Sequence, residues 1–245
     1  MRIQLLFELE KNEIPSDNRS IFISFLKKTL TQSGQEELYE RYFVGTASKD
    51  YCFVPIFDSP KYQKDKIILE NPRLKLIFSA DNKNMTGSIF KFAFVGMKHK
   101  RFPLPDGNAM VLKKIIDEQE EYIHSEKVIF RTVTGGGIIL REHFREDNKD
   151  KYYAVNDDTF EEKAKDSLQR QATQAGFFSS DVEKINLKTI SGKKIVVRLY
   201  GQFIDVSTGV FLIEATPEIL QYFYRSGICS RTSMGYGMLQ VIEQL

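Results

Sequence analysis

Gly227-Ile228-Cys229-Ser230-Arg231-Thr232-Ser233-Met234-Gly235-Tyr236-Gly237 joins a helical stretch, Thr216 to Ser226, to a strand-like one, Met238 to Glu243. Three glycines, three hydroxyl residues and an arginine share these eleven positions, with Arg225 just ahead of them. Glycine lets a backbone turn sharply and approach a ligand closely. Successive N–H groups in such a turn can form a concave anion site, so phosphate is the first ligand to consider. The bland alternative is plain connection, because glycine punctuates turns in any fold. Thr216 and Pro217 make a favourable helix start, and Gly227 is the residue type usual just past a helix end.

Outside this loop the composition narrows the class. A chain of 245 residues suits one large domain or two of about 100–150 residues. The 35 basic and 33 acidic residues nearly cancel, so any nucleic-acid surface must be a local patch. No apolar run approaches the roughly 18 residues of a membrane span. The opening MRIQLLFELEKNE is too short and too acidic for a signal peptide and reads as a strand. Cys52 and Cys229 are far apart, with no CxxC and no Cys/His cluster. That pattern argues for a reducing cytoplasm and against structural zinc. No cofactor and no metal are expected.

Periodicity then gives the element order. Arg2 to Glu8 alternates as a half-buried strand. Ser16 and Asp17 offer caps for a helix through Ile21, Phe22, Phe25, Leu26 and Leu30 that ends near Gly34 and carries Arg19, Lys27 and Lys28 on its other face. A short helix, Glu36 to Phe43, stops at Gly45, and Tyr51 to Phe57 and Leu74 to Ala80 read as strands. Met85 to Lys98 fits either a strand, through Phe90, Phe92 and Phe94, or a helix. Ala109 to Ile116 is a further strand. The order is β-α-β-β-(α)-β, a ferredoxin-like pattern.

The second half repeats it. Lys127 to Thr134 and Gly137 to Arg141 read as a hairpin or broken strand around Gly135-Gly136-Gly137, and a helix from Phe160 through Ala172 ends at Gly176. Strands follow at Val182 to Ile190, Lys194 to Tyr200 and Val210 to Glu214. The expected fold class is α+β, with two tandem ferredoxin-like domains, 1–120 and 121–245, meeting at the polar stretch Glu118 to Ser125.

With this order in place the C-terminal loop resembles the G-h-G-x5-G-h-G signature of the Cas6 family of CRISPR-associated endoribonucleases, within the RAMP superfamily. Cys229 stands where that family usually has its second glycine. Tyr153-Ala154-Val155-Asn156-Asp157-Asp158-Thr159-Phe160 and the helix through Leu168, Gln169 and Arg170 form a second resemblance. Leu38-Tyr39-Glu40, with Lys49 downstream, is a third.

The resemblance implies binding of the CRISPR repeat in precursor RNA and metal-independent cleavage. The ribose 2′-hydroxyl attacks the adjacent phosphate, leaving a 2′,3′-cyclic phosphate and a 5′-hydroxyl. Such chemistry needs a base, an acid and a cation for the crowded phosphate. Many family members place a catalytic histidine in a Leu-His-Glu context, where this chain reads Leu38-Tyr39-Glu40. Tyr39, Tyr42 and Lys49 are therefore the catalytic candidates. A phenol with a free pKa of about 10 is a poor base at neutral pH but can donate a proton. The RNA-binding candidates are Lys27, Lys28, Arg225, Ser230, Arg231 and Ser233, with Gly227, Gly235 and Gly237 shaping the loop. Alternative readings are a Cas6-like protein that binds repeat RNA without cutting it, and a RAMP coat subunit. Other Cas proteins of an effector complex and a second copy of the chain are open as partners.

His99, His124 and His143 are the only imidazoles and share no spacing. Lys98-His99-Lys100-Arg101 forms a local positive cluster, and Arg141-Glu142-His143-Phe144-Arg145 is a hairpin-end candidate for repeat contact. The Gly135–Gly137 run lacks the Lys-Ser/Thr of a P-loop, so it is not a nucleoside-triphosphate site.

Overall fold

The computed structural model describes residues 1–44, 49–144, 146 and 148–245. Gly45, the expected stop of the second helix, and Arg145 lie outside the described residues. The first half is a five-stranded antiparallel sheet in the order Tyr51–Phe57, Arg73–Ala80, Arg2–Leu9, Ala109–Asp117, Arg101–Pro103. Alternation puts Ile3, Leu5 and Phe7 of the central strand on one buried face. Two helices, Arg19–Gln32 and Thr86–Met97, cover that face. Phe25 stands 5.1 Å from Phe7 and stacks on Phe94 at 6.1 Å between ring centroids. Each such fully buried Phe contributes roughly 1.5–3 kcal/mol.

The ambiguous stretch resolves as a helix because Phe90, Ala93, Phe94 and Met97 share one buried stripe while Phe92 is exposed. The alternating phenylalanines are a coincidence of spacing. Glu36–Tyr39 is a single helical turn that continues as a π-turn over Glu40–Val44, which buries Tyr42.

The second half is a four-stranded antiparallel sheet in the order Asn186–Leu199, Gln202–Glu214, Lys127–Thr132, Leu239–Gln244. Asn186–Leu199 and Gln202–Glu214 form one long hairpin where shorter strands were expected, and Ser179–Val182 is a helical turn. The helices Phe160–Gln174 and Pro217–Ser226 supply Phe160, Leu168, Leu220 and Phe223 to the core beneath Phe211 and Ile213.

Of the two readings at Gly135–Gly137, the hairpin does not form and the strand breaks. Gly135 at φ +84° and Gly137 at φ +126° swing the chain off the sheet, and Ile138 bridges to Ser207 instead. Leu140–Phe144 then pairs with Lys149–Tyr153 as a separate hairpin. The fold is thus two ferredoxin-like domains in tandem.

Packing between the halves fixes the 227–237 loop. Arg2 donates from Nη2 to the carbonyls of Tyr224 and Leu239, 2.9 Å each, with its guanidinium 4.1 Å from the Tyr224 ring centroid. Cys52 and Val54 share a small buried cluster with Met238. The 227–237 loop is therefore wedged against the edge strand of the first sheet. Among the described residues, no helix is long and apolar enough to cross a membrane.

Candidate nucleic-acid interface

The glycines of the loop work on the protein itself. Gly227, Gly235 and Gly237 all have positive φ, and a Cβ on Gly237 would stand 2.3 Å from the Ile228 carbonyl oxygen. The N–H groups of Gly227, Ile228, Ser230, Met234, Gly235 and Gly237 donate to backbone carbonyls, and that of Cys229 to Gln171 Oε1 at 3.1 Å. Those seven donors are used internally. The side chains of Ser230, Arg231 and Ser233 face the first half of the chain.

They face it across a cleft of about 610 Å³ between the two halves. One wall holds Ile23 and Lys27 of the first helix, Tyr42 and Phe43 of the π-turn, and Lys49. The other holds Arg141, the face of the 160–174 helix bearing Ser167, Arg170, Gln171 and Gln174, and loop residues Cys229 to Met234, with Tyr200 at the side. Among the described residues, five cations line the cleft, Lys27, Lys49, Arg141, Arg170 and Arg231, and no carboxylate does, although Asp150 behind the lining pairs with Arg141 at 2.9 Å and stands 3.8 Å from Arg231. A concave wall of one charge sign attracts phosphate and excludes acidic surfaces.

The sequence candidates divide between this cleft and other places. Lys27, Tyr42, Lys49, Ser230, Arg231 and Ser233 meet in it. Lys27 Nζ lies 5.4 Å from the Phe43 ring centroid, whereas Lys28 lies over Phe102 at 5.5 Å, on a different side of the helix. Arg225 is taken up by a two-nitrogen contact to Glu120, 2.9 and 3.1 Å, and stands 3.9 Å from Asp81, outside the cleft lining. Tyr39 packs on Phe43, ring centroids 5.6 Å apart, and does not line the cleft.

Tyr42 is 2% exposed. Its hydroxyl donates to Asp50, which also accepts from Thr86 Oγ1 and Asn84 Nδ2 at 3.0 Å each. Burial, and then the Asp50 charge, push its pKa well above the ordinary tyrosine value. Burial lowers the pKa of Lys49 and pushes the Cys229 thiol up to about 12. The cleft can thus neutralise phosphate strongly, but its phenol is a reluctant proton donor and its cysteine is a neutral thiol.

Sequence reasoning singled out Arg141 only as part of the 141–145 hairpin end and did not place Arg170 in the cleft wall or find the Asp50 anchor. A signal for the helix wall exists. With Phe160, Ala164, Leu168 and Ala172 buried, Ser167, Gln171 and Gln174 fall at i, i+4 and i+7 on an adjacent stripe.

A family model described as CRISPR associated protein Cas6, C-terminal, matches residues 116–241, just over half of the 245-residue chain. The chain belongs to the Cas6 family. Members of that family are endoribonucleases that process CRISPR RNA. Solved structures share the fold over the full length. A Cas6-related protein of Pyrococcus furiosus aligns with TM-score 0.81 and 19% identity, covering 100% of this chain and 99% of its own. A RAMP protein that binds different RNA substrates aligns with TM-score 0.81 and 18% identity, covering 99% and 100%. A Cas6 product complex gives 0.68 and 14%, again covering 99% and 100%. No curated protein sequence matches the chain.

Proposed function

We propose that this Cas6-family chain binds the repeat of precursor CRISPR RNA in the cleft and cuts it once by metal-independent attack of a ribose 2′-hydroxyl on the adjacent phosphate. The observation that carries this reading is the lining itself, five cations from both halves against one adjoining carboxylate, Asp150. Lys27, Lys49 and Arg231 neutralise the scissile phosphate as it gains charge. Arg141 and Arg170 hold flanking phosphates, and the Ser230 and Ser233 hydroxyls add contacts that carry no sequence information. Gly227, Gly235 and Gly237 shape the loop that presents these side chains. Tyr42 acts from its buried position as a hydrogen-bonded support.

A second reading rests on a specific observation: no histidine is among the cleft-lining residues. A site with cations alone binds repeat RNA without cutting it. Labelled repeat RNA incubated in EDTA, beside the same RNA with a 2′-deoxy nucleotide at the cut site, separates the two. Cleavage in EDTA that is lost on the deoxy strand supports the nuclease. Tight binding with both strands intact after hours supports the binding protein.

A further inference from the structure

An imidazole stands on the strand that supplies Arg141 to the cleft wall, outside the lining itself. His143 and Arg141 alternate onto the same face of the strand Leu140–Phe144, about 6.6 Å apart along it. Arg141 lines the cleft. Across the hairpin, His143 pairs with Asp150, and its Nδ1 lies 2.8 Å from Asp150 Oδ1. The other carboxylate oxygen, Oδ2, takes Arg141 Nη1 at 2.9 Å and faces Arg231 Nη2 at 3.8 Å. Arg231 in turn donates to the Tyr152 hydroxyl at 3.2 Å. One carboxylate thus binds the imidazole to two of the five cleft cations.

The arrangement has a chemical consequence. A carboxylate on Nδ1 selects the tautomer with the proton there and leaves Nε2 for another partner. The His143 side chain is 41% exposed, so a bound strand can reach it. The other imidazoles have no such setting. His99 occupies a positive-φ turn after the helix Thr86–Met97, and the backbone N–H of His124 donates to Gln244 Oε1 at 2.9 Å.

We propose that His143, oriented by Asp150, is the general acid of the cleavage reaction. This rests on the nuclease reading above. The 2′-oxygen bonds to phosphorus as its proton passes to water. The P–O5′ bond breaks, and the departing 5′-oxygen takes the proton from Nε2 of the imidazolium, leaving neutral imidazole. Asp150 is a positioning residue that keeps its own charge throughout. Asp150 is the charged group in contact with the imidazole, and Arg141 from the hairpin and Arg231 from the loop reach the same carboxylate.

Single-turnover cleavage of the cognate repeat RNA in EDTA by the full chain tests this, using wild type and His143→Gln. Loss of general-acid help slows the normal substrate by about 100-fold or more. Affinity for uncut 2′-deoxy RNA stays at the wild-type value. A substrate with sulfur in place of the 5′-bridging oxygen leaves as a thiolate that needs no proton, so both proteins cut it at the same rate. The wild-type rate falls on the alkaline side of its pH profile, and that limb is missing from His143→Gln. Asp150→Asn, which loosens the imidazole's orientation, weakens the reaction partially.

A wild-type rate for His143→Gln on the normal substrate overturns the proposal and leaves the nuclease reading standing. So does an equal deficit on the sulfur substrate, which reduces His143 to a structural role. A wild-type protein that binds and cuts neither substrate sinks both.

Discussion

The guanidinium of Arg19 lies 5.0 Å from the ring centroid of Tyr236, so the first helix is clamped to the C-terminal loop through a buried cation. Arg19 also donates to the Gly135 carbonyl, and its Nη1 is buried without a partner. The contact is the strut between the two walls of the cleft. A buried guanidinium with no carboxylate relies on its aromatic face and its carbonyl. Tyr236→Leu therefore destabilises the protein by about 2 kcal/mol, because it strands the charge. Arg19→Met, which removes the charge as well, costs less. Urea denaturation gives the order, and a reversed order contradicts the clamp.

Gly237 and Gly34 have similar backbone angles, φ +75° and +70°, but different surroundings. A Cβ on Gly237 meets the Ile228 carbonyl at 2.3 Å, while one on Gly34 meets nothing within 4 Å. Gly34→Ala should cost about 1–2 kcal/mol of left-handed strain alone. Gly237→Ala adds the clash and reaches about 3 kcal/mol or more. Equal losses on thermal melting would mean that the loop yields more easily than its close packing implies.

Cleft cations and their neighbours should separate cleanly in binding. Lys27→Ala, Lys49→Ala and Arg231→Ala each weaken binding to single-stranded repeat RNA and flatten the log Kd against log salt plot by about 0.7. Lys28→Ala leaves the slope unchanged, because that ammonium lies over Phe102 on another side of the helix. A slope that shifts as much for Lys28→Ala places the RNA elsewhere.

The hairpin that carries His143 is sensitive to acid. Burial pushes the Asp150 carboxyl up, but hydrogen bonds from His143 and Arg141 outweigh it and hold the group below the usual carboxylate range. A depressed folded pKa means that Asp150 supports the hairpin above its unfolded pKa of about 3.9. The support is lost as the pH falls through the lower folded value. Amide exchange over Leu140–Phe144, corrected for intrinsic rate, should speed up in that acid window. Asp150→Asn should reduce the pH dependence and leave the part due to Glu142, which Tyr153 and Lys163 hold low, and a hairpin equally protected on both sides of the window contradicts the assignment.

Much of this was legible in the chain. Alternation in Arg2–Leu9 and the stripe Phe160, Ala164, Leu168, Ala172 are strong local signals, and each matches its element. Phe90, Phe92 and Phe94 satisfied two periods at once, and only the tertiary core decides between them. The run Gly135–Gly137 reads as a hairpin turn, yet its positive φ angles send the chain to a new partner that no local pattern encodes. The loop's glycines were visible as glycines, but not that its N–H groups would be used internally. Arg225 looked like a loop cation because its partner, Glu120, is 105 residues away. The Asp150 bridge between His143, Arg141 and Arg231 likewise joins residues whose meeting depends on the finished fold.

The chemistry itself is tested most directly by the ends of the cut RNA. Mass spectrometry of repeat RNA cleaved in EDTA should find a 2′,3′-cyclic phosphate on the upstream fragment and a 5′-hydroxyl on the downstream one. A 3′-hydroxyl paired with a 5′-phosphate would mean that water, and not the ribose, attacks the phosphorus, and would contradict the account.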